Sequence, residues 1–160
     1  MIKKTFVLPR QEPIPLSPEK YAQLELDVVR LSEEREAASE RVKVAREMGD
    51  LSENGAYHYG KMELASYSRQ LRQAQFLLKY GVITQSSQTG VVEFGSQVTV
   101  SDGKKDRVYR IVSQYESDPK AGKISVESPI GYALLGKRVG DTVTVTVPAG
   151  ELHYTVRSIQ

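Results

Sequence analysis

The chain has 160 residues, with 22 lysines and arginines against 20 aspartates and glutamates. This length suits one domain or two small ones, and the near balance of charge argues against a general nucleic-acid coat, which needs a strong basic excess. The absence of cysteine excludes disulfides and thiolate metal sites, and the presence of only two histidines argues against a zinc site made by the protein alone.

The first 13 residues contain Pro9 and Pro13 and are interpreted as an N-terminal extension ahead of the first domain. Their apolar stretch is very short and lacks a small-residue cleavage site, so they do not resemble a signal peptide. No later apolar run approaches the roughly 18 residues needed to cross a bilayer. We therefore expect a cytoplasmic protein without membrane contact.

Residues 14–84 have the pattern of two helices paired as an antiparallel coiled-coil hairpin. In the first arm, apolar or small side chains recur at Tyr21, Leu24, Val28, Leu31, Ala38, Val42 and Ala45. In the second arm, they recur at Tyr57, Gly60, Leu64, Tyr67, Leu71, Ala74 and Leu78. Alternating steps of three and four are typical of a heptad seam, in which Arg35 fills one position of the first arm. Ser17 and Pro18 are predicted to begin the first arm and Gly81 to end the second.

The arms are joined by a tip, residues 49–54, that places two carboxylates, Asp50 and Glu53, at the far end of the rod. In one interpretation they form a capping box, in which Asp50 accepts backbone N–H groups of the second arm and Glu53 reaches back. In the other they offer oxygen ligands to Mg²⁺, which often takes only one or two protein carboxylates. Two acids would not complete a metal site, so a catalytic metal would be shared with another macromolecule. The two interpretations are compatible and both stay open.

The second arm carries a basic stripe. From Tyr57 to Ile83 a single acid, Glu63, stands against four cations, which are Lys61, Arg69, Arg72 and Lys79. Such a stripe is either a solvated helix face or a track for a phosphate backbone, beside which Tyr57, His58 or Tyr59 could stack on bases.

After a linker rich in serine and glutamine, residues 85–90, the hydrophobic period changes to two. Alternating segments typical of half-buried antiparallel strands occur at 97–100, 107–112, 123–126, 142–147 and 152–156. Asp102-Gly103 and Ala149-Gly150 mark hairpin turns. A short helix is predicted to begin at Ser128-Pro129 and to close at Gly136. The predicted fold class is α+β: a coiled-coil hairpin, then an antiparallel sheet domain with one short helix over residues 91–160.

Segments in both halves resemble the Gre family of bacterial transcript-cleavage and transcription elongation factors. They are residues 45–54 with Tyr57-His58 and Lys61, and, in the second half, residues 122–130, 133–137, 140–141 and 148–151. The resemblance covers residues 14–160 and implies that the second domain is FKBP-like. It also implies a monomeric accessory factor, not itself an enzyme, that docks this domain on bacterial RNA polymerase. The hairpin would then enter the polymerase secondary channel when RNA has backtracked.

The resemblance assigns roles residue by residue. Asp50 would bind Mg²⁺ jointly with the polymerase, and Glu53 would support that metal or the attacking water, as two-metal chemistry requires. The isolated protein would not hold this ion tightly. Arg46 and Lys61 match basic positions near the family's tip and would contact RNA or polymerase. With the stripe residues Arg69 and Arg72 and with Asn54 and Tyr57, they make up the candidate contacts to polymerase or to the RNA 3′ end. Ser128, Pro129 and Ile130 match the polymerase-docking loop.

Four functions are open at this point. The first is a factor that stimulates cleavage of backtracked RNA and so rescues arrested complexes, which the presence of both tip acids favours. The second is a Gre-like regulator that occupies the channel without stimulating cleavage, because Gly55-Ala56 stands where the family usually has Ala-Glu. The third is a coiled-coil adaptor whose tip acids only cap a helix. The fourth, a peptidyl-prolyl isomerase, depends on the FKBP-like resemblance alone, and fold is weak evidence of activity.

Overall fold

A computed structural model describes residues 12–48, 54–87, 89–147 and 150–160. Its helices are α1 (Pro18–Glu47), α2 (Gly55–Tyr80) and α3 (Pro129–Leu134). Its strands are β1 (Ile14–Leu16), β2 (Gly81–Ile83), β3 (Gln97–Ser101), β4 (Asp106–Val112), β5 (Lys123–Ser125), β6 (Thr142–Val147) and β7 (Gly150–Ile159). None of the described helices combines the length and the apolar composition that a membrane span requires.

Helices α1 and α2 form the predicted hairpin. The Ser17 hydroxyl caps α1 by accepting the Lys20 amide at 3.2 Å, and Pro18 occupies the first turn, as predicted. The buried seam consists of Leu24, Leu31, Ala38, Val42 and Ala45 against Gly60, Leu71, Ala74 and Leu77. Arg35, predicted to fill a seam position, is exposed. At 1.5 Å per residue, the 30 residues of α1 make a rod about 45 Å long.

Near the tip, α2 contributes a glycine, Gly60, to the seam. A Cβ atom on Gly60 would lie 3.0 Å from Cγ2 of Val42, a separation that real Cβ contacts rarely reach. The absence of a side chain at Gly60 therefore sets how closely the two helices approach at this level.

A parallel pair of strands, β1 and β2, closes the base of the hairpin and has no counterpart in the sequence prediction. Ile14 pairs with Gly81, and the completely buried Leu16 pairs with Ile83. Gly81 ends α2 as predicted, and its N–H donates to the carbonyl of Leu77. A Cβ atom on Gly81 would overlap that carbonyl oxygen and would lie 2.5 Å from Cδ1 of Leu16. Only glycine fits this corner without a shift of its neighbours.

The second half is a five-stranded sheet in the order β5-β4-β3-β7-β6. Neighbouring strands run antiparallel, as predicted, except that β5 pairs parallel with β4, so the antiparallel expectation is wrong for β5. Inward-facing side chains and α3 enclose one core, whose fully buried members include Val92, Val98, Val100, Ile111 and Leu134. The residues that alternate along each strand thus become the two faces of the sheet.

The hairpin turns lie where the sequence places them. Between β3 and β4, Gly103 has a φ of 83°, and Oδ1 of Asp102 accepts the amides of Lys104 and Lys105 at 2.9 and 2.8 Å. The hydrogen bonds from the Lys105 and Lys104 amides lower the pKa of Asp102 below its usual value, and the bond from Lys105 has the larger effect. The second turn lies between paired Val147 and Gly150, and its Ala149 is outside the described residues.

A small set of polar contacts joins the hairpin to the sheet domain. The carboxylate of Glu116, in a 3₁₀ turn after β4, accepts the Ser17 amide at 3.0 Å and also the Ser17 hydroxyl. Tyr115 packs against the core at the base of the hairpin. The predicted linker is also held to the sheet domain, since the Ser87 amide donates to Oε1 of Glu93 at 2.6 Å. The start of α1 is therefore fixed to the sheet domain through Ser17.

Candidate functional site at the hairpin tip

Asp50 and Glu53 lie outside the described residues, but the ends of the two helices bracket them. Helix α1 ends at Glu47 with Met48 as its C-cap, and α2 begins at Gly55 with Asn54 as its N-cap. Both acids therefore belong to the five residues, 49–53, that connect the two helices at the end of the rod.

Asn54 holds the described part of the tip together. Its Oδ1 accepts the Tyr57 amide at 3.1 Å, which caps α2, and its Nδ2 donates to the Ala45 carbonyl in the last turns of α1 at 2.8 Å. Asn54, and not Asp50, is therefore the N-cap of α2, while the hydrogen bonds of Asp50 and Glu53 lie outside the described residues. Sequence reasoning placed Asn54 among the RNA or polymerase contacts and missed this role, although asparagine is a preferred N-cap residue.

The basic candidates near the tip share one face of the hairpin. Successive residues of an α-helix are about 100° apart, which places Arg46 of α1 and Lys61 of α2 on the same side of the seam. Both side chains are exposed. Lys61 Nζ lies 5.3 Å from the ring centroid of Tyr57, and Tyr57 also meets the His58 ring edge-on at 5.8 Å. We call this side of the hairpin, including Lys43 and His58, the basic face.

The stripe along α2 is only partly aligned. Arg72 follows Lys61 by 11 residues, about three turns, and so lies on the same face, whereas Arg69 points about 80° away. Within the described ranges, no carboxylate lies within 4 Å of the cationic groups of Lys61, Arg69 or Arg72. The one acid in the stripe, Glu63, pairs instead with Arg41 across the hairpin at 3.1 Å. Lys61, Arg69 and Arg72 are therefore not neutralised by described carboxylates, whereas Lys43 of the basic face pairs with Glu40 at 3.3 Å.

The opposite face near the tip is apolar. Val44 and Met48 of α1 and Tyr59 of α2 are 44%, 73% and 65% exposed. Together with Ala56 and Gly60 they line an open groove of about 720 Å³, which we call the apolar groove. Tyr59 was a candidate for base stacking beside the basic stripe, but it lies across the seam from Lys61. The heptad pattern defines only the seam and gave no signal for this groove.

The docking candidates lie on α3, in the sheet domain. The Ser128 hydroxyl accepts the Gly131 amide at 3.1 Å and donates to the Ser125 carbonyl at 2.7 Å, so it caps the helix. Pro129 is exposed, and Ile130 is half-buried against the core. Tyr132, which sequence reasoning did not select, is 76% exposed on the same short helix.

No described part of the chain brings together three or more histidine, aspartate or glutamate side chains in a geometry that could hold a metal ion. Asp50 and Glu53 remain the candidate metal ligands, and their arrangement is outside the described residues.

Two family models match the chain. The model described as "Transcription elongation factor, N-terminal" matches residues 14–83, and "Transcription elongation factor, GreA/GreB, C-term" matches residues 87–160. The chain belongs to the GreA/GreB family of transcription elongation factors. The family predicted from the sequence is therefore confirmed, and with it a coiled-coil hairpin followed by a sheet domain.

Individual relatives agree with this membership. A protein named transcription elongation factor GreA from Chloroflexus aggregans is 39% identical over 94% of this chain and 99% of its own. The Rhodospirillum rubrum protein of the same name is 38% identical over 93% of this chain and 98% of its own. Among solved structures, GreA factor homolog 1 (Gfh1) of Thermus thermophilus is 26% identical, covers 93% of this chain and 99% of its own, and has a TM-score of 0.45.

Proposed function

We propose that this chain is a cytoplasmic accessory factor that binds bacterial RNA polymerase and inserts its hairpin into the secondary channel. There it stimulates Mg²⁺-dependent cleavage of backtracked RNA and so rescues arrested complexes. The observation that carries this proposal is the position of Asp50 and Glu53 between Met48 and Asn54, at the end of a rod about 45 Å long. A rod of this shape carries its terminal side chains into a site that the sheet domain cannot enter.

The tip is better suited to a magnesium ion shared with the polymerase than to one bound by this protein alone. Two carboxylates are hard oxygen ligands of the kind Mg²⁺ prefers, and they leave room for ligands from the polymerase and the RNA. When bound, the ion supplies stabilisation of the charge on the attacking and leaving oxygens. The chain's own contribution is to present Asp50 and Glu53. Asn54 supports this by fixing where α2 begins and by holding that point to the Ala45 carbonyl.

The remaining candidates divide between RNA and polymerase. Arg46, Lys61 and Arg72 share the basic face and suit contact with RNA phosphates, whose binding depends on such cations. Arg69 points away from this face and is a candidate for a polymerase contact. On α3, Pro129 is exposed beside half-buried Ile130 and suits docking at the channel rim.

The test uses stalled, backtracked polymerase complexes in the presence of Mg²⁺, with release of short 3′-terminal RNA fragments as the readout. Asp50→Asn and Glu53→Gln remove one charge each at nearly constant shape, so each should reduce stimulated cleavage at least 100-fold while polymerase affinity changes less than threefold. Glu47→Gln, which removes a charge from the exposed last turn of α1, is the matched control and should cleave like the wild type. Full cleavage by Asp50→Asn would refute the catalytic assignment.

A second candidate function is regulation of the polymerase by channel occupancy without cleavage. It is favoured by Gly55 and Ala56, both exposed at the start of α2, where no acidic side chain adds to the two tip carboxylates. The same assay separates the candidates. A wild-type chain that competes for the channel but releases no RNA fragments would support the regulator and contradict the cleavage factor.

A further inference from the structure

The apolar groove is a feature of the tip that neither the metal nor the RNA explains. It runs from Ala37 to Met48 along α1, about 16 Å, and is closed on the other side by α2 from Ala56 to Glu63. Its exposed members, Val44, Met48 and Tyr59, leave large apolar side chains in water on a helical rod. Contiguous exposed apolar surface on a soluble protein commonly marks an interaction site.

The charge around the groove indicates the chemistry of its partner. The charged residues of its described lining are Glu40, Arg41 and Glu63, at the base-side end. Arg41 pairs with Glu63 across the helices at 3.1 Å, and Glu40 pairs with Lys43 at 3.3 Å, so the part of the lining that the structure describes offers no unpaired cation. Toward the tip the described lining is Val44, Ala45, Met48, Ala56 and Tyr59, which carries no charge. The cations Arg46 and Lys61 lie on the opposite face. The groove therefore offers, among its described residues, no free cation to neutralise a phosphate backbone, whereas apolar side chains of a protein partner would match the apolar lining of the groove.

We propose that the apolar groove binds an apolar protein segment in the wall of the channel that the hairpin enters. The inference rests on the proposed function and adds a second protein contact, distinct from the docking loop on α3. Tyrosine and methionine are enriched at protein interfaces, and tyrosine is common among residues that dominate binding energy.

The position of the groove gives this contact a specific role. A rod that is joined to the sheet domain by a few contacts through Ser17 can still rotate by small angles at that joint, and its length amplifies such a rotation at the tip. A protein contact on one face and RNA phosphates on the opposite face fix that rotation, and the direction in which Asp50 and Glu53 point follows from it. Val44, Met48 and Tyr59 are thus positioning residues, which do not touch the reacting atoms.

The binding test compares two methionines. Met48, in the groove, and Met62, on the outer side of α2 and outside the groove, are each 73% exposed. We expect Met48→Gln and Tyr59→Gln to raise the Kd for backtracked polymerase complexes about tenfold each, which corresponds to about 1.4 kcal/mol. Met62→Gln and Tyr59→Phe, which preserves the ring, should change the Kd less than twofold. Circular dichroism should show the same helix content in every variant, since all four substitutions are at exposed positions.

A photo-crosslinking amino acid in place of Tyr59 identifies the occupant directly. It should crosslink to a polymerase subunit, whereas the same group at Met62 should give little product. Crosslinking of position 59 to RNA, or a cleavage defect in Tyr59→Gln without a change in Kd, would overturn the proposal in favour of a nucleobase site. A dimer in sedimentation that Met48→Gln abolishes would overturn it in favour of a second copy of the chain.

The two proposals fail in different ways. If the wild type binds and stimulates cleavage while Met48→Gln and Tyr59→Gln behave identically to it, only the groove proposal is overturned. If the wild type does not bind polymerase, both are overturned. If the wild type binds without cleaving and the groove variants bind more weakly, the groove proposal holds and the cleavage function is refuted.

Discussion

Replacing Asn54 with alanine should loosen the tip of the hairpin while leaving the rest of the protein intact. The substitution removes two hydrogen bonds: the cap to the Tyr57 amide at 3.1 Å and the link to the Ala45 carbonyl at 2.8 Å. Loss of an N-cap costs about 1 kcal/mol, and a neutral hydrogen bond contributes about 1 kcal/mol. Because both bonds hold the same end of the rod, we expect local opening there to become easier by about 2 kcal/mol.

Asn54→Asp separates the two contributions. Aspartate keeps the oxygen that caps α2 and suits the positive end of the helix dipole, but it cannot donate to Ala45. Its effect should therefore be about 1 kcal/mol, half that of alanine. Asn54→Ser, which also caps without reaching Ala45, should behave similarly and controls for the added charge.

The measurement is native-state amide hydrogen exchange, which reports local opening. At 1.4 kcal/mol per factor of ten, Asn54→Ala should speed exchange of the Tyr57 and His58 amides about thirtyfold, and Asn54→Asp about fivefold. Amides in the middle of α2, such as that of Leu71, should exchange at the wild-type rate. Unchanged exchange at Tyr57 in Asn54→Ala would refute the idea that this side chain holds the tip.

Two further predictions concern regions away from the tip. Gly81→Ala should destabilise the protein by about 2 kcal/mol, because the added Cβ is forced against Leu77 and Leu16 at the base of the hairpin. Urea unfolding followed by circular dichroism measures the loss of stability, and an unchanged unfolding midpoint would contradict the prediction. The lowered pKa of Asp102 stabilises the fold above its unfolded pKa of about 4, and this contribution disappears as pH falls through the lower folded value. Asp102→Asn should therefore lose less stability than the wild type between neutral and strongly acidic pH, and equal losses would contradict the prediction.

Much of the fold could be predicted because its signals are local. Ser17-Pro18 begins α1 and Ser128-Pro129 begins α3, where a hydroxyl cap and a fixed proline φ favour the same backbone. The features that were missed depend on partners distant in sequence. Strand β1 is only three residues long and includes Pro15, so its pairing with β2 exists only because the hairpin brings both ends together.

The site shows the same division. The tip, with Asp50 and Glu53, can be located from the sequence because it lies between two heptad patterns. Its N-cap could not be predicted, because Asp50 and Asn54 are both good N-cap residues and only the structure selects Asn54. Leu77 is buried and the predicted Leu78 is only half-buried, although both pack in the cluster at the base of the hairpin that includes Leu16. The apolar groove lies beside the seam, where the heptad pattern makes no prediction.

The contact between Glu116 and Ser17 has a mechanical consequence. It lies at the base of a lever about 45 Å long, so a tilt of about 10° at this joint displaces the tip by about 8 Å. That displacement exceeds the length of any carboxylate side chain. The direction in which the hairpin points therefore depends on a few hydrogen bonds at its base. A substitution of Ser17 or Glu116 would displace the tip although every residue of the tip stays unchanged.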